Sequence, residues 1–251
     1  MRVRSALVVA GEPKSVASLY RKAVLTSNPG PVRRWSRGDR RFERAFLREL
    51  VKQASGASPQ QVIVGANALF ERERGTLSDA PSQTHLLLAC YVLAAYRHLI
   101  DAGGAPDEAR RVVTRALVSP NQRTARLFMA ACLLLPGDRL AFLRRSTEWL
   151  VRSVYGDWFR FRSEGDGTTR FVSIVEQCGF FDLLSRHGEP DLTQAFCAWD
   201  TTWSGAISAT RHGVRFELDG TIAQGRDACR FCFVRTDARG RDIDPRGQPS
   251  K

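Results

Sequence analysis

The chain has 251 residues, of which 43% are hydrophobic, and this is enough to bury the core of one large domain or two small ones. Its strongest apolar run, residues 86–96, is far shorter than the roughly 20 residues that cross a bilayer, so we expect a buried helix there and no membrane partner. The formal charge of +12 permits contact with nucleic acid, but nearly all of the basic residues are arginine, a bias that genomic base composition can also produce.

The densest basic segment lies at residues 33–48, where the later arginines alternate with Phe42, Phe46 and Leu47. This pattern predicts a solvated amphipathic helix, and we do not expect nucleic acid to be a partner. The alternative is that this arginine surface binds nucleic acid or another anion. The six cysteines form no disulfide-rich pattern and we find no secretion signal, which predicts free thiols and a cytoplasmic location.

The first 150 residues predict a series of helices. Ser58, Pro59 and Gln61 match the opening of a capped helix that runs to about Arg74. The further helices are predicted at about 83–102, from Pro106 onward, at 121–135 and at 138–155.

The pattern changes to that of strands after residue 155. Two short runs of alternating aromatic or β-branched residues flank the sequence EGDG at 164–167, which is a hairpin signal. Residues 214–222 alternate apolar and polar side chains, and the sequence ACRFCFV at 228–234 is predicted to return as their partner strand. Two helices are predicted between these pairs of strands, at about 175–187 and from 190 to about 211.

Together these elements predict an α+β fold. We expect a helical region, residues 1–150, to pack on a β-β-α-α-β-β unit with an antiparallel sheet, residues 151–236. The remaining residues, 237–251, read as a polar tail that frays.

The predicted helix from residue 190 carries two stripes of side chains. An apolar stripe includes Trp199 and Trp203, and a polar stripe beside it is formed by Thr193, Cys197, Asp200 and Ser204. A thiol, a carboxylate and two hydroxyls on adjacent turns form a suitable wall for a small polar ligand. The alternative is that Cys197 packs as a small hydrophobic residue and Asp200 is a surface charge.

No metal or cofactor is predicted. The sequence CRFC at 229–232 resembles half a zinc site, but residues three apart in a strand point to opposite faces, so Cys229 and Cys232 separate. His187 and His212 each precede a glycine where a helix is predicted to end, a favourable capping arrangement. The chain has no glycine-rich phosphate loop and no recognisable hydrolase motif around a serine or a metal.

Two stretches in the second half resemble a known family. They are VEQCGFFDLLSRHGEPDLTQAFCAWDTTW and, after it, VRFELDGTIAQGRDACRFCF. In their order of motifs they resemble the L-2-amino-thiazoline-4-carboxylic acid hydrolase family. The matching positions are Cys178, Cys197 with Asp200, Thr221 with Ala223 and Gly225, and Cys229 with Phe231 and Phe233.

The resemblance implies a small-molecule substrate and hydrolysis of a C–N bond in a cyclic amidine or heterocyclic amino acid. It implies a catalytic set of Cys197, Asp200 and Cys229, in which we expect Cys197 to act as nucleophile and Asp200 as acid and base. We expect the substrate-binding set to be Cys178, Thr193, Trp203, Ser204 and Thr221. Arg230 stands where the family commonly has an acidic residue, which implies a different charge pattern in the substrate.

The polar stripe leads to a geometric prediction. We expect Thr193, Cys197, Asp200 and Ser204 to face an internal pocket against the C-terminal sheet, close to Cys229. Burial there should raise the pKa of Asp200, while a nearby base or donor should lower that of a thiol. A more distant resemblance to 4-vinyl reductase-type domains implies the alternative of a non-catalytic small-molecule-binding or regulatory domain on the same fold.

Overall fold

A computed structural model describes residues 37–134, 137–244, 246 and 248. Helices and strands are numbered here in chain order within these residues. The first five helices are α1 (Arg37–Gln53), α2 (Pro59–Glu73), α3 (Ala80–Asp101), α4 (Pro106–Leu134) and α5 (Arg139–Leu150). No helix in these ranges is long and apolar enough to cross a bilayer.

The first helix contains most of the arginine-rich segment. Residues 33–36 of that segment lie outside the described residues. In α1, Phe46 and Leu47 are buried whereas Arg44 and Arg48 are exposed, which confirms an amphipathic helix with a solvated basic face.

Side-chain caps determine where α2 and α3 begin. As predicted, the Ser58 hydroxyl accepts a hydrogen bond from the Gln61 backbone N–H at 3.4 Å. Helix α3 begins three residues before its predicted start, because the Asp79 carboxylate accepts a hydrogen bond from the Ser82 N–H at 2.7 Å. The Ser82 hydroxyl in turn accepts from the Trp158 N–H at 3.0 Å, which ties the start of α3 to the first strand.

Two predicted helices, from Pro106 and at 121–135, form the single helix α4. Pro120 lies inside it, although proline removes one backbone donor and normally ends a helix. The turn before it carries Ala116 and Leu117, both fully buried, so tertiary packing holds the helix through this position. Helix α5 is also shorter than predicted, and residues Val151–Tyr155 continue it as a π-helical turn.

Four antiparallel strands form one sheet in the order β1-β2-β4-β3. Together with the helices that precede it, the sheet confirms the predicted α+β fold. The strands are β1 (Phe159–Glu164), β2 (Arg170–Cys178), β3 (Val214–Leu218) and β4 (Cys229–Arg235). The predicted hairpin forms around EGDG, where the Asp166 carboxylate accepts from the backbone N–H groups of Thr168, Thr169 and Arg170.

Three of the predicted elements after the first hairpin have different boundaries. The helix predicted at 175–187 begins only at Gly179, since β2 continues to Cys178; it is α6 (Gly179–Arg186). The strand predicted at 214–222 ends at Leu218. The segment predicted as one helix from 190 is a 3-10 turn (Pro190–Thr193), α7 (Gln194–Asp200), a second 3-10 turn (Ser204–Ala206) and α8 (Ala209–His212).

Helix α7 ends at Asp200 because the residues that follow give its last backbone carbonyls hydrogen bonds other than the helical ones. The Thr201 hydroxyl donates to the Cys197 carbonyl at 3.1 Å, and the Thr202 N–H bonds the Trp199 carbonyl three residues back. Threonine side chains compete with helical hydrogen bonds in this way. Residues beyond Asp200 therefore leave the helical stripe on which the sequence pattern placed them.

The two faces of the sheet differ. One face packs against α4 and α5 in a cluster that includes Leu133, Leu143, Phe171 and Phe233. The opposite face carries a small cluster of Val172, Ile174, Ala228 and Cys232.

The tail predicted to fray folds back through residue 243, where the Ile243 N–H donates to the Arg235 carbonyl at 3.0 Å. The proposed division at residues 150 and 236 stays a prediction.

Candidate active site

A cavity lies between the helices and the sheet face that carries Phe233, which is called the inner face below. Its empty volume of about 830 Å³ includes its opening to solvent. Strands supply one wall, including Phe161, Ser173, Val175 and Phe231, and helices supply the other. Seven of the eight predicted site residues line this cavity: Cys178, Thr193, Cys197, Asp200, Trp203, Thr221 and Cys229. Their predicted roles remain predictions.

Ser204 does not line the cavity. Because α7 ends at Asp200, Ser204 falls in the following 3-10 turn, where its hydroxyl donates to the Thr201 carbonyl at 2.8 Å. The predicted polar stripe therefore contributes three residues, Thr193, Cys197 and Asp200.

A β-bulge brings Cys178 to the cavity. Along β2, Ser173 and Val175 face the cavity, and strict alternation would place Gln177 there next. The register between β1 and β2 shifts at this point, so that Phe159 pairs with Cys178 and Phe161 pairs with Val175. The extra residue, Glu176, points outward to Arg160 and Arg162, and Cys178 takes the inward position.

The strand β4 separates its two cysteines as predicted. Cys229 lines the cavity, whereas Cys232 belongs to the cluster on the opposite face. The Cys229 sulfur accepts a hydrogen bond from the Ile222 N–H at 3.3 Å. The turn that provides this N–H is closed by the Thr221 hydroxyl, which donates to the Gln224 side-chain oxygen at 3.2 Å.

A tyrosine that the sequence analysis missed contacts Asp200. The Tyr155 hydroxyl donates to Asp200 Oδ1 at 3.3 Å. Burial raises the pKa of Asp200 to about 7, and the tyrosine hydrogen bond offsets only part of this rise. Burial and the Asp200 charge raise the pKa of Tyr155 well above its usual value. The one sequence signal for Tyr155 is its position immediately before the change from helix to strand. No sequence pattern links it to Asp200, which lies 45 residues later.

Stacking holds the Tyr155 ring in place. The rings of His85 and Tyr155 stack with centroids 5.2 Å apart, and Phe161 meets the tyrosine edge-on at 5.0 Å. His85 itself lies 3.0 Å, through Nδ1, from the Pro81 carbonyl. The hydroxyl of Tyr155 is thus a fixed donor to Asp200.

The three thiols of the cavity are held in the neutral form. Burial, with further contributions from Asp200 and neighbouring thiols, raises the pKa of Cys178 and of Cys197 to about 12. Burial also raises the pKa of Cys229. Hydrogen bonding lowers the pKa of Cys197 through the Thr221 hydroxyl and that of Cys229 through the Ile222 N–H. Each of these effects is smaller than the rise that burial causes. Nearby donors therefore lower the pKa of Cys197 and Cys229 in the predicted direction, but burial outweighs them and both pKa values are raised.

The cavity has no histidine to serve as a base. All four histidines are described, and none lines it. As predicted, His187 and His212 stand at the ends of helices, α6 and α8. Within the described ranges, no group of three or more His, Cys, Asp or Glu side chains is placed to hold a metal ion.

Gly179 sets the distance between α6 and the first strand. A Cβ atom at this position would clash with the Trp158 indole, whose ring packs edge-on against Phe180 with centroids 5.7 Å apart and whose backbone N–H is bonded to the Ser82 hydroxyl. We expect Gly179→Ala to lower the free energy of unfolding by roughly 1–3 kcal/mol through overpacking. Denaturant unfolding measures this change. Gly75→Ala, where a Cβ would meet nothing within 4 Å, is the control, and equal stabilities of the two variants would contradict the expectation.

The fold and the cavity define a class of protein: an α+β domain whose cavity is lined by three thiols and one half-buried carboxylate. A family model for L-2-amino-thiazoline-4-carboxylic acid hydrolase matches residues 83–233, a range that contains every predicted site residue. The chain therefore belongs to this family. No curated protein and no solved structure gives a significant match to it.

Proposed function

We propose that the protein is a hydrolase that opens the ring of a cyclic amidine at a C–N bond, with Cys197 as nucleophile and Asp200 as acid and base. The observation that carries this proposal is the position of Asp200. Its carboxyl lines the cavity together with Cys178, Cys197 and Cys229, and its pKa of about 7 suits a group that takes and returns a proton at neutral pH.

Cys197 is favoured as the attacking thiol because it is less buried than Cys229 and, unlike Cys178 at the end of β2, shares a helix with Asp200. It lies about one turn before Asp200 on α7, and it is partly exposed where it borders the cavity. Cys229 is buried, and its sulfur is already engaged by the Ile222 N–H. The Thr221 hydroxyl lies beside Cys197, and by turning its proton from Gln224 to the sulfur it would stabilise a developing thiolate.

The reaction divides into two balanced stages. In the first, the Cys197 sulfur bonds to the carbon of the protonated amidine, the C=N π pair moves to the ring nitrogen, and the thiol proton passes to the Asp200 carboxylate. Asp200 then gives this proton to the ring nitrogen, and the C–N bond breaks with its electron pair on that nitrogen. In the second, water adds to the same carbon and gives a proton to Asp200. The Cys197 thiol leaves with that proton, so that one water is consumed in total.

A protonated amidine would itself help to ionise the thiol. Among the described residues that line the cavity, none is a positively charged neighbour of Cys197, which is consistent with the raised thiol pKa. A cation bound within about 4–6 Å lowers a thiol pKa because it favours the charged form. The nucleophile would thus be activated when substrate is bound.

The remaining predicted residues have supporting roles in this proposal. Trp203 presents an indole that stacks on Phe233, with ring centroids 6.0 Å apart, and forms a flat wall for a planar ring. Cys178, Cys229 and Thr193 shape the surrounding surface, and Thr221 positions the turn beside Cys197.

Ligand screening followed by mass analysis tests the proposal. We expect thermal-shift screening of thiazoline and other cyclic amidines to reveal ligands that raise the melting temperature. Incubation with catalytic amounts of the protein should add the mass of one water to at least one of them. Ligands that raise the melting temperature but are recovered unchanged would overturn the proposal and favour the non-catalytic binding domain.

A further inference from the structure

We propose that a second cavity, whose wall includes Arg139, His212 and Arg235, binds a phosphate group, either as the free ion or as part of a small phosphorylated compound. This second cavity lies at the start of α5, the end of α8 and the end of β4, and its volume is about 430 Å³ including its opening to solvent. None of its described lining residues lines the candidate active site, so the proposal does not depend on the hydrolase reaction.

Two arginines give the second cavity positive charge. Arg139 is the first residue of α5 and Arg235 is the last residue of β4, and both line the cavity. The Arg139 Nε–H donates to the Leu133 carbonyl at 3.2 Å, whereas its two Nη groups make no hydrogen bond among the described residues. The Arg139 side chain is thus anchored, and its outer donors are available to a ligand.

One carboxylate lies among the described residues of this lining, and its charge is already paired. Asp138 Oδ2 binds the Arg235 guanidinium at 2.6 Å, and Oδ1 accepts from the Ala141 N–H at 3.1 Å as the cap of α5. Arg235 also donates through Nε to the Thr168 carbonyl at 2.7 Å, which fixes its position. Two guanidinium groups and one carboxylate leave a net positive charge, to which the amino-terminal end of the α5 dipole adds.

A buried histidine adds a neutral donor to the same wall. His212 is only 7% exposed and lines the cavity, and its Nδ1 accepts a hydrogen bond from the Ser208 backbone N–H at 3.0 Å. A neutral imidazole that accepts at Nδ1 carries its proton on Nε2. This Nε2–H has no hydrogen-bond partner in the part of the chain that the structure describes. A buried donor without a partner is destabilising, and an oxyanion in the cavity would remove that cost.

The charges around His212 agree with this arrangement. Burial lowers the pKa of His212, and the positive charges of Arg211 and Arg139 lower it further. Arg139 on α5 therefore lies close enough to the imidazole on α8 to act on the same ligand. Because the imidazole is neutral at pH 7.5, it contributes a hydrogen bond while the guanidinium groups contribute the charge.

The placement of these donors favours phosphate over a carboxylate. They reach the cavity from three separate elements, with Arg139 on α5, His212 on α8 and Arg235 on β4. A tetrahedral phosphate presents oxygens in several directions and can bind donors on three sides, whereas a carboxylate presents two oxygens in one plane. Guanidinium groups also match phosphate oxygens through paired N–H donors.

Calorimetric titration with inorganic phosphate at pH 7.5 and constant ionic strength tests the proposal. We expect one phosphate to bind with a Kd of about 2 mM or less, and acetate to bind at least about tenfold more weakly. The heat of binding is preferable to the melting temperature as a measurement, because phosphate salts stabilise proteins without binding to a site. A larger Kd for phosphate, or equal binding of acetate, would overturn the proposal.

Two substitutions locate the bound phosphate. His212→Asn removes the Nε2–H but supplies an amide oxygen that can still accept from the Ser208 N–H, and Arg139→Gln removes a guanidinium group. We expect each to weaken phosphate binding about tenfold, the loss of one hydrogen bond to a charged group. Arg145→Gln, an exposed arginine of α5 outside this lining, is the matched control and should bind normally. Unchanged affinity in both test variants would mean that phosphate binds elsewhere.

A spectroscopic measurement on the unmodified protein does not depend on whether the variants fold. Phosphate should shift the imidazole resonances of His212 in NMR spectra and leave those of His85, which does not line this cavity, unchanged. Resonances of His212 that do not respond to phosphate count against the site.

Glycerol 3-phosphate distinguishes the two sources of the phosphate group. Tighter binding of this ester than of inorganic phosphate, with the same loss in Arg139→Gln, supports a phosphorylated compound as the ligand. Equal or weaker binding of the ester supports the free ion. If neither compound binds, the second cavity is not a phosphate site.

Discussion

Asp200→Asn is expected to abolish turnover and, at pH 8, to make the protein more stable. The pKa of Asp200 is raised from its ordinary value of 3.8 to about 7, so between these pH values the unfolded chain loses a proton that the folded protein keeps. Its contribution to stability is therefore fully present below about pH 4 and is lost as the pH rises through 7. Asparagine does not ionise, and it can still accept the hydrogen bond from Tyr155.

The size of this effect follows from the size of the shift. A shift of this magnitude corresponds to roughly 4 kcal/mol, and because Asp200 borders a cavity that water can enter, we expect a gain of about 2–4 kcal/mol at pH 8 and almost none at pH 4. Urea unfolding at the two pH values measures it. Asp101→Asn, which changes an exposed carboxylate at the end of α3, should show no such difference. Equal stability of Asp200→Asn and the unmodified protein at pH 8 would mean that Asp200 ionises normally.

The same substitution should lower kcat by at least about 100-fold, the contribution that a positioned acid or base typically makes. In the unmodified protein, kcat/KM should increase as the pH rises through about 7, since the carboxylate form is needed to accept the Cys197 proton. A substitution that stabilises the fold and removes activity marks a residue retained for function. Retention of activity in Asp200→Asn would remove Asp200 from the mechanism.

Cys197→Ser is expected to reduce turnover by roughly 1000-fold or more, because a serine hydroxyl at this position has no base strong enough to ionise it. The substitution nearly preserves volume, so the free energy of unfolding should change by less than about 1.5 kcal/mol. Cys132→Ser, a partly exposed cysteine of α4 outside the cavity lining, is the matched control and should retain full activity. Initial rates and urea unfolding of both variants measure these effects.

Thiol alkylation provides a second measurement that does not depend on a substrate. Because the pKa of Cys197 is about 12, iodoacetamide should modify it very slowly at pH 7.5. A bound amidinium that leaves the thiol accessible should accelerate the modification, which peptide mass analysis can assign to Cys197, Cys178 or Cys229. If Cys197→Ser retains turnover while Cys229→Ser or Cys178→Ser loses it, the nucleophile is one of those two thiols instead.

Local sequence patterns determined much of this protein. The Ser58 cap, the hairpin at EGDG and the alternation that separates Cys229 from Cys232 all depend on residues within a few positions of each other. The order of cysteine and aspartate motifs was enough to indicate the family that the model over residues 83–233 then showed. The cap, the hairpin and the alternation follow from short-range geometry, which a single sequence expresses directly.

Other features were decided only by the tertiary structure. Pro120 stays within a helix because buried neighbours hold it there, and Cys178 turns inward because a bulge against β1 shifts the register. Asp200 acquires its raised pKa from burial and its partner Tyr155 from 45 residues earlier in the chain. The thiol pKa values increase because the fold buries the cysteines beside a carboxylate. Burial, register and charge environment arise from contacts between distant segments, and such contacts leave no periodic signal in the sequence.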